Sequence, residues 1–197
     1  KKTRLKKKIF LGQKLNPNII DKKNKSEFIK IRYNQCFTSP STRCVETAKT
    51  VCKNKKIIKN NNLKEIDYGS AEGLNFKELN IKYPQIIKAW KKGLDPKFPK
   101  GESLSSVSIR LNKFINDQLI SKKNTKNFNN LIFTHNVILR CLIGNIYKIK
   151  RKEWFRININ YFDLLEFRLE NYKLVSNIER RKYLSIFKNF NKNYNNV

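Results

Sequence analysis

The chain has 197 residues, enough for one domain with a full hydrophobic core, and no apolar run in it approaches the ~20 residues of a membrane-spanning helix. Its 44 Lys and Arg against 15 Asp and Glu give a formal net charge of +29, which favours anionic partners. This charge is spread along the chain and accompanies no zinc-finger spacing, basic zipper or aromatic RNA-binding motif. We therefore interpret it as compositional and expect neither a nucleic acid nor a membrane as partner.

The first 34 residues are basic and polar, with few apolar anchors and no clean strand pattern. Phe10 is a candidate hydrophobic anchor within a loop, and residues 26–33 are a candidate short helix. The chain opens at Lys1 and contains no Met, which favours a fragment whose true start is missing.

Residues 35–38 are the first strand candidate, and Ser39 and Pro40 suit the N-cap and first position of a helix that extends to about Cys52. Arg43 lies in the first turn of this helix, where a cation opposes the helix dipole. That placement makes physical sense if Arg43 and the free N–H groups share a bound anion. An ordinary solvated arginine is the alternative.

The cysteines are Cys36, Cys44, Cys52 and Cys141, and no two of them form a C-x-x-C pair of the kind found in structural zinc sites. Three of them fall on apolar faces of predicted helices. We predict four reduced core thiols in a cytoplasmic protein.

Three acidic residues, Glu65, Asp67 and Glu72, lie close together beside two glycines in an otherwise basic chain. Any of them could act as a general acid if its carboxyl were shielded from water. The alternative is a turn with capping acids. Flanking Leu63 and Ile66 favour burial of Glu65 and hence a raised pKa.

Residues 75–100 predict a lid or insertion, with a helical pattern that stops before Pro84 and a loop from Trp90 onwards that could cover a site. Gly-Glu-Ser at residues 101–103 then starts a helix with an apolar face that extends to about Ser121. Arg110 lies off that face.

The stretch around His135 changes from a short apolar strand, residues 131–133, to apolar residues at helical spacing from Val137. The only histidine of the chain therefore lies at the carboxyl end of a strand and just before a helix, where anions bind in open α/β sheets. A histidine with purely structural hydrogen bonds is the alternative.

Residues 161–168 and 172–176 predict two strands of a hairpin at a sheet edge, with a turn at Glu170 and Asn171. Residues 179–197 are a basic, Lys- and Asn-rich tail.

Four stretches, in the same order, resemble motifs of the histidine phosphatase superfamily, the phosphoglycerate mutase-like proteins. They are FTSPSTRCVETA, LKEIDYGSAEGL, PKGESLSSVSIR and FTHNVILRCLIG, and the resemblance spans residues 35–167. It implies an α/β fold, a three-layer α/β/α sandwich with a central, mostly parallel sheet. The domain would cover residues 1–178 without its first strand.

The resemblance implies transfer of a phosphoryl group onto a histidine and then to water or another acceptor, with no metal or cofactor. Arg43 corresponds to the second phosphate arginine, His135 to the second histidine and Glu65 to the general acid. The backbone N–H of Asn136 would lie near the phosphate. The implied activity is that of a phosphatase on a small phosphorylated substrate, with phosphoglycerate mutase activity as the alternative.

The nucleophilic histidine and its neighbouring arginine have no counterpart here, because His135 is the only histidine. Either the chain is truncated before Lys1, or it is a degenerate phosphate-binding relative. As given, it is expected to be catalytically inactive. A basic nucleic-acid-binding module is a further alternative, supported by charge alone.

The motif order also predicts geometry. The strand that ends at Thr134 should neighbour the strand that ends near Thr38. The side-chain heads of Arg43 and His135 should then lie within ~10 Å of each other, since one phosphate would contact both.

Overall fold

A computed structural model describes residues 9–19, 32–52, 56–121, 129–157, 159 and 163–176. The predicted helix at residues 26–33 lies almost wholly outside the described residues. The predicted tail at residues 179–197 lies entirely outside them.

Three short parallel strands form the central sheet: β1 (Gln35–Thr38), β2 (Ile57–Lys59) and β3 (Asn130–Phe133), in the order β2-β1-β3. β1 and β3 pair with Thr38 opposite Phe133. The predicted neighbourhood of these two strands is therefore confirmed, and their carboxyl ends meet at one edge of the sheet.

Helices cover both faces of this sheet. On one face, Cys36 of β1 packs with Ala48 and Cys52 from helix α1 (Thr42–Val51) and its C-cap. On the other face, Phe37 packs edge-to-face on Phe114 with ring centroids 5.4 Å apart. Because successive strand side chains point to opposite faces, this alternation builds the predicted three-layer sandwich.

Four further α-helices among the described residues contribute to the largest core cluster. They are α2 (Phe76–Lys82), α3 (Pro84–Lys91), α4 (Leu104–Phe114), which continues as a π-helical segment (Ile115–Ile120), and α5 (Asn136–Ile146). None of the described helices is long and apolar enough to cross a membrane. All four cysteines are free and buried, as predicted.

Phe10 is the hydrophobic anchor that the sequence predicts. Its ring packs edge-to-face on Tyr68 at 5.0 Å, and its backbone exchanges hydrogen bonds with Gly73 and Leu74. Trp90 was predicted to open a loop but lies in α3, where it packs against Phe98. The apolar surface of Trp90 therefore packs against the core. A role of residues 75–100 as a lid stays a prediction.

The predicted start of α1 was wrong. The helix begins at Thr42 with Ser41 as N-cap, so Ser39 does not cap it and Pro40 precedes it. Ser39 Oγ accepts from His135 Nε2 and from the Ser41 N–H in the segment that precedes the helix.

The hairpin exists, but its predicted position was wrong. Strands β4 (Phe167–Glu170) and β5 (Lys173–Ser176) form an antiparallel sheet of their own among the described residues, apart from the central sheet. Its turn residues, Asn171 and Tyr172, both have positive φ. Strand periodicity and turn residues identify a hairpin but not its partner sheet.

Candidate active site

Arg43 and His135 meet at the carboxyl edge of the sheet. Arg43 is the second residue of α1, after β1, and His135 is the N-cap of α5, two residues after the end of β3. Arg43 Nε lies 3.3 Å from His135 Nδ1. The two side chains were predicted to lie within ~10 Å of each other. This prediction is confirmed, because they form a direct hydrogen bond.

The hydrogen bonds of His135 determine its tautomer. An arginine N–H only donates, so His135 Nδ1 accepts from Arg43 and the ring proton is on Nε2. That Nε2–H donates to Ser39 Oγ at 2.8 Å. Burial, together with the positive charge of Arg43, lowers the pKa of His135 well below 6.5. The imidazole is therefore neutral at neutral pH.

Ser39 was missed as a site residue by sequence reasoning. It is fully buried, accepts from His135 and from the Ser41 N–H, and donates to Ser41 Oγ at 3.3 Å. The available signal was its position, directly after β1 at the edge where His135 follows β3.

Cys44 also lies against the histidine, with Sγ 3.5 Å from His135 Nε2. Burial raises the pKa of this thiol to about 12, so it stays protonated. We assign it no chemical role.

A loop at residues 12–15 supports Arg43. The guanidinium donates from Nη2 to Gly12 O at 2.9 Å and from Nη1 to Leu15 O at 3.3 Å. Together with the bond to His135, these contacts fix the direction of the guanidinium plane.

The same loop is held by Glu72. Its carboxylate accepts the backbone N–H groups of residues 12, 13, 14 and 15 at 2.6–3.2 Å. Asp67 accepts the Gly69 N–H at 2.8 Å within its own turn. Glu72 and Asp67 therefore accept backbone N–H groups, as in the alternative interpretation of capping acids in a turn.

Glu65 is the acid that lies at the site. Only 7% of it is exposed, and burial raises its pKa from 4.5 to about 7. The N–H groups of Ile66 and Val137 and the charge of Arg43 oppose this shift. Since Val137 is the second residue of α5, the carboxyl lies at that helix N-terminus. The predicted burial and raised pKa are confirmed.

Asn136 is the first residue of α5, next to His135. Its side-chain amide donates to Ile159 O at 3.2 Å. Contact between its backbone N–H and a phosphate stays a prediction.

A cleft of about 270 Å³ opens beside these residues. Gln13 lines it and donates to Glu65 O at 2.9 Å, and Ser41 links it to Ser39. The lining residues are Gln13, Asn16, Pro40, Ser41, Asn61 and Lys64. They bring amides, a hydroxyl and one ammonium group, without a carboxylate. No group of three or more His, Cys, Asp or Glu among the described residues could hold a metal ion.

Residues 24–178 match the histidine phosphatase superfamily (branch 1). The chain belongs to this family. It is 24% identical over 131 residues to 2,3-bisphosphoglycerate-dependent phosphoglycerate mutase 2 from Gloeobacter violaceus, covering 64% of this chain and 59% of the relative. It is 30% identical over 109 residues to phosphoserine phosphatase 1 from Hydrogenobacter thermophilus, covering 54% and 50%. The chain thus spans about half to three fifths of the length of these two relatives.

Solved structures of the family share the fold. A phosphoserine phosphatase mutant from Entamoeba histolytica in complex with phosphoserine superposes with a TM-score of 0.72 at 19% identity, covering 86% of this chain and 87% of that chain. The structure of Bacillus stearothermophilus YhfR superposes with a TM-score of 0.66 at 18% identity, covering 78% and 76%.

Proposed function

We propose a phosphoryl-transfer function, that of a phosphatase acting on a small phosphomonoester through a phosphohistidine, although the histidine that would accept the phosphoryl group has no counterpart in this chain. Arg43, His135 and Glu65 would be this chain's contribution to the reaction. The observation that carries the proposal is their convergence at the N-terminus of α5, at the carboxyl edge of the sheet, in a member of this family.

Phosphate binding is supported by the donors at this edge. Arg43 uses three of its five N–H donors in the described contacts, which leaves two for phosphoryl oxygens. His135 offers its Nε2–H, now directed at Ser39 Oγ, and α5 offers its first N–H groups at Asn136. Cations and a helix N-terminus neutralise a phosphoryl group without a metal, so we propose metal-independent chemistry.

The acid step is supported by the environment of Glu65. With a pKa of about 7, its carboxyl is protonated in about half of the molecules at neutral pH and can protonate a leaving oxygen. His135 is unsuited to this step, because its low pKa keeps it neutral. Its proposed role is to donate a hydrogen bond to the phosphoryl oxygens in the transition state.

Two other functions are favoured by specific observations. Similarity to the Gloeobacter violaceus enzyme favours phosphoglycerate mutase activity. An inactive phosphate-binding relative is favoured because His135, the only histidine, already hydrogen bonds through both ring nitrogens. The four free, buried cysteines support our proposal of a cytoplasmic location.

The function is tested in a protein that carries the family's nucleophilic histidine and its neighbouring arginine ahead of Lys1. Turnover of alkyl phosphates and of p-nitrophenyl phosphate is compared between this protein and its Glu65→Gln variant. The p-nitrophenolate leaves without a proton, so we expect the variant to slow alkyl phosphates by about 10²–10⁴-fold and p-nitrophenyl phosphate much less. Equal slowing of both, or a leaving-group-dependent loss in Glu72→Gln instead, would refute the role of Glu65. Phosphate binding without any turnover would establish the inactive relative.

A further inference from the structure

The Gly-Glu-Ser stretch before α4 and the arginine further along that helix meet in space. Arg110 donates from Nε to Glu102 Oε1 at 2.9 Å and from Nη2 to Glu102 Oε2 at 3.0 Å, in a two-pronged ion pair. Both side chains are largely buried, at 15% and 22% exposure. An ion pair with this geometry is directional as well as strong.

The other donors of Arg110 reach the segment that carries the acid. Nη1 donates to Asn62 O at 2.8 Å and to Lys64 O at 2.7 Å, and Nη2 donates to Glu65 O at 3.1 Å. All five N–H donors of Arg110 are therefore used, three of them on backbone carbonyls up to and including Glu65.

Glu102 holds the same segment on the far side of the acid. Its Oε2 accepts the Asp67 N–H at 2.9 Å, and its own N–H donates to Asp67 O at 2.8 Å. The ion pair thus hydrogen bonds to the backbone before and after Glu65 and connects this segment to α4.

We propose that Arg110 and Glu102 are positioning residues that hold the backbone of residues 62–67 so that the Glu65 carboxyl stays buried at the N-terminus of α5. The inference rests on the proposed function for the role of Glu65 as the acid. The described side-chain hydrogen bonds of Arg110 and Glu102 go to each other and to this backbone. A lysine at position 110 would keep the charge but lose the planar fork that reaches several carbonyls at once.

Positioning and simple charge have opposite effects on Glu65. As a nearby cation, Arg110 lowers the pKa of Glu65, so removing the charge alone would raise that pKa. Releasing the segment would instead let the carboxyl reach water and lower its pKa from about 7 towards 4.5, because burial is the largest cause of the shift.

The test is a ¹³C NMR titration of the Glu65 carboxyl in the ligand-free chain, with its signal assigned by Glu65→Gln. We expect Arg110→Lys and Glu102→Gln to lower the Glu65 pKa towards 4.5. Lys113→Met is the matched control, because it removes one charge from an exposed position of the same helix and should leave the pKa at about 7. Circular dichroism confirms that each variant is folded.

An unchanged pKa in Arg110→Lys, together with a raised pKa in Arg110→Met, would overturn the proposal and leave Arg110 as a nearby charge. If Arg110→Met fails to fold, the other two variants decide. An unchanged Glu65 pKa in both Arg110→Lys and Glu102→Gln then overturns the proposal. The titration needs neither substrate nor turnover. A lowered pKa in these variants, together with no turnover once the nucleophilic histidine is supplied, would refute the proposed function and leave the positioning role intact.

Discussion

At the scale of single residues, the buried Glu65 links stability to pH. Its folded pKa of about 7 lies above the ordinary 4.5, so its contribution to stability is full below 4.5 and is lost as the pH rises through 7. Glu65→Gln cannot ionise and should gain on the order of 3 kcal/mol relative to the unmodified protein between pH 4.5 and 8. Denaturant unfolding of both proteins at the two pH values measures this gain, and a parallel pH dependence would contradict it.

His135 should behave differently from an ordinary histidine. Its pKa is depressed, so it stabilises the fold above pH 6.5, and this contribution is lost as the pH falls through its folded pKa. Long-range ¹H–¹⁵N spectra should show a protonated Nε2 and an unprotonated Nδ1 that persist at pH 5.5. A proton on Nδ1, or titration near pH 6.5, would contradict the hydrogen bonds to Arg43 and Ser39.

Sequence reasoning located the residues whose neighbours along the chain reveal their role. Arg43 opposes a helix dipole, His135 follows a strand, and Glu65 lies between apolar residues. The contacts of Ser39 with His135 and of Arg110 with the Glu65 carbonyl escaped, because these partners lie 96 and 45 residues away along the chain. No local pattern encodes such contacts.

At the scale of elements, Asp95 joins the loop after α3 to the start of α4. Its carboxylate accepts the N–H groups of Leu104 at 2.9 Å and Ser105 at 2.8 Å. Asp95→Ala should destabilise the fold by roughly 1–2 kcal/mol, and Asp95→Asn by less, because an acid at a helix N-terminus satisfies N–H groups and the dipole. Urea unfolding measures both. A loss no larger than that of Glu78→Gln, in the exposed capping box of α2, would contradict it.

Helix interiors were predictable at this scale, and helix starts were less so. The apolar spacing of α4 and α5 fixes which face is buried. Ser39, the predicted N-cap of α1, instead hydrogen bonds His135, the N-cap of α5, and no local sequence pattern indicates this contact. Likewise, the hairpin follows from its alternation and turn, whereas its separation from the central sheet depends on packing that the pattern does not contain.

At the scale of the whole molecule, the charge of +29 supplies a general attraction for anions that could be mistaken for a site. The central claim is that phosphate binds at one place, at Arg43 and His135. General attraction is spread over many lysines and weakens with salt. A specific site depends on one guanidinium in a fixed orientation.

Calorimetric titration with inorganic phosphate at constant ionic strength separates these two sources. The unmodified chain is compared with Arg43→Met and with Lys49→Met, which removes one exposed charge from the same helix. Charge-assisted hydrogen bonds contribute about 1.5–3 kcal/mol, so Arg43→Met should weaken binding by roughly tenfold to a hundredfold. Lys49→Met should leave the affinity within about twofold, the scale of weak surface electrostatics. Equal affinity in all three proteins, or equal losses in the two variants, would contradict a phosphate site at Arg43 and His135.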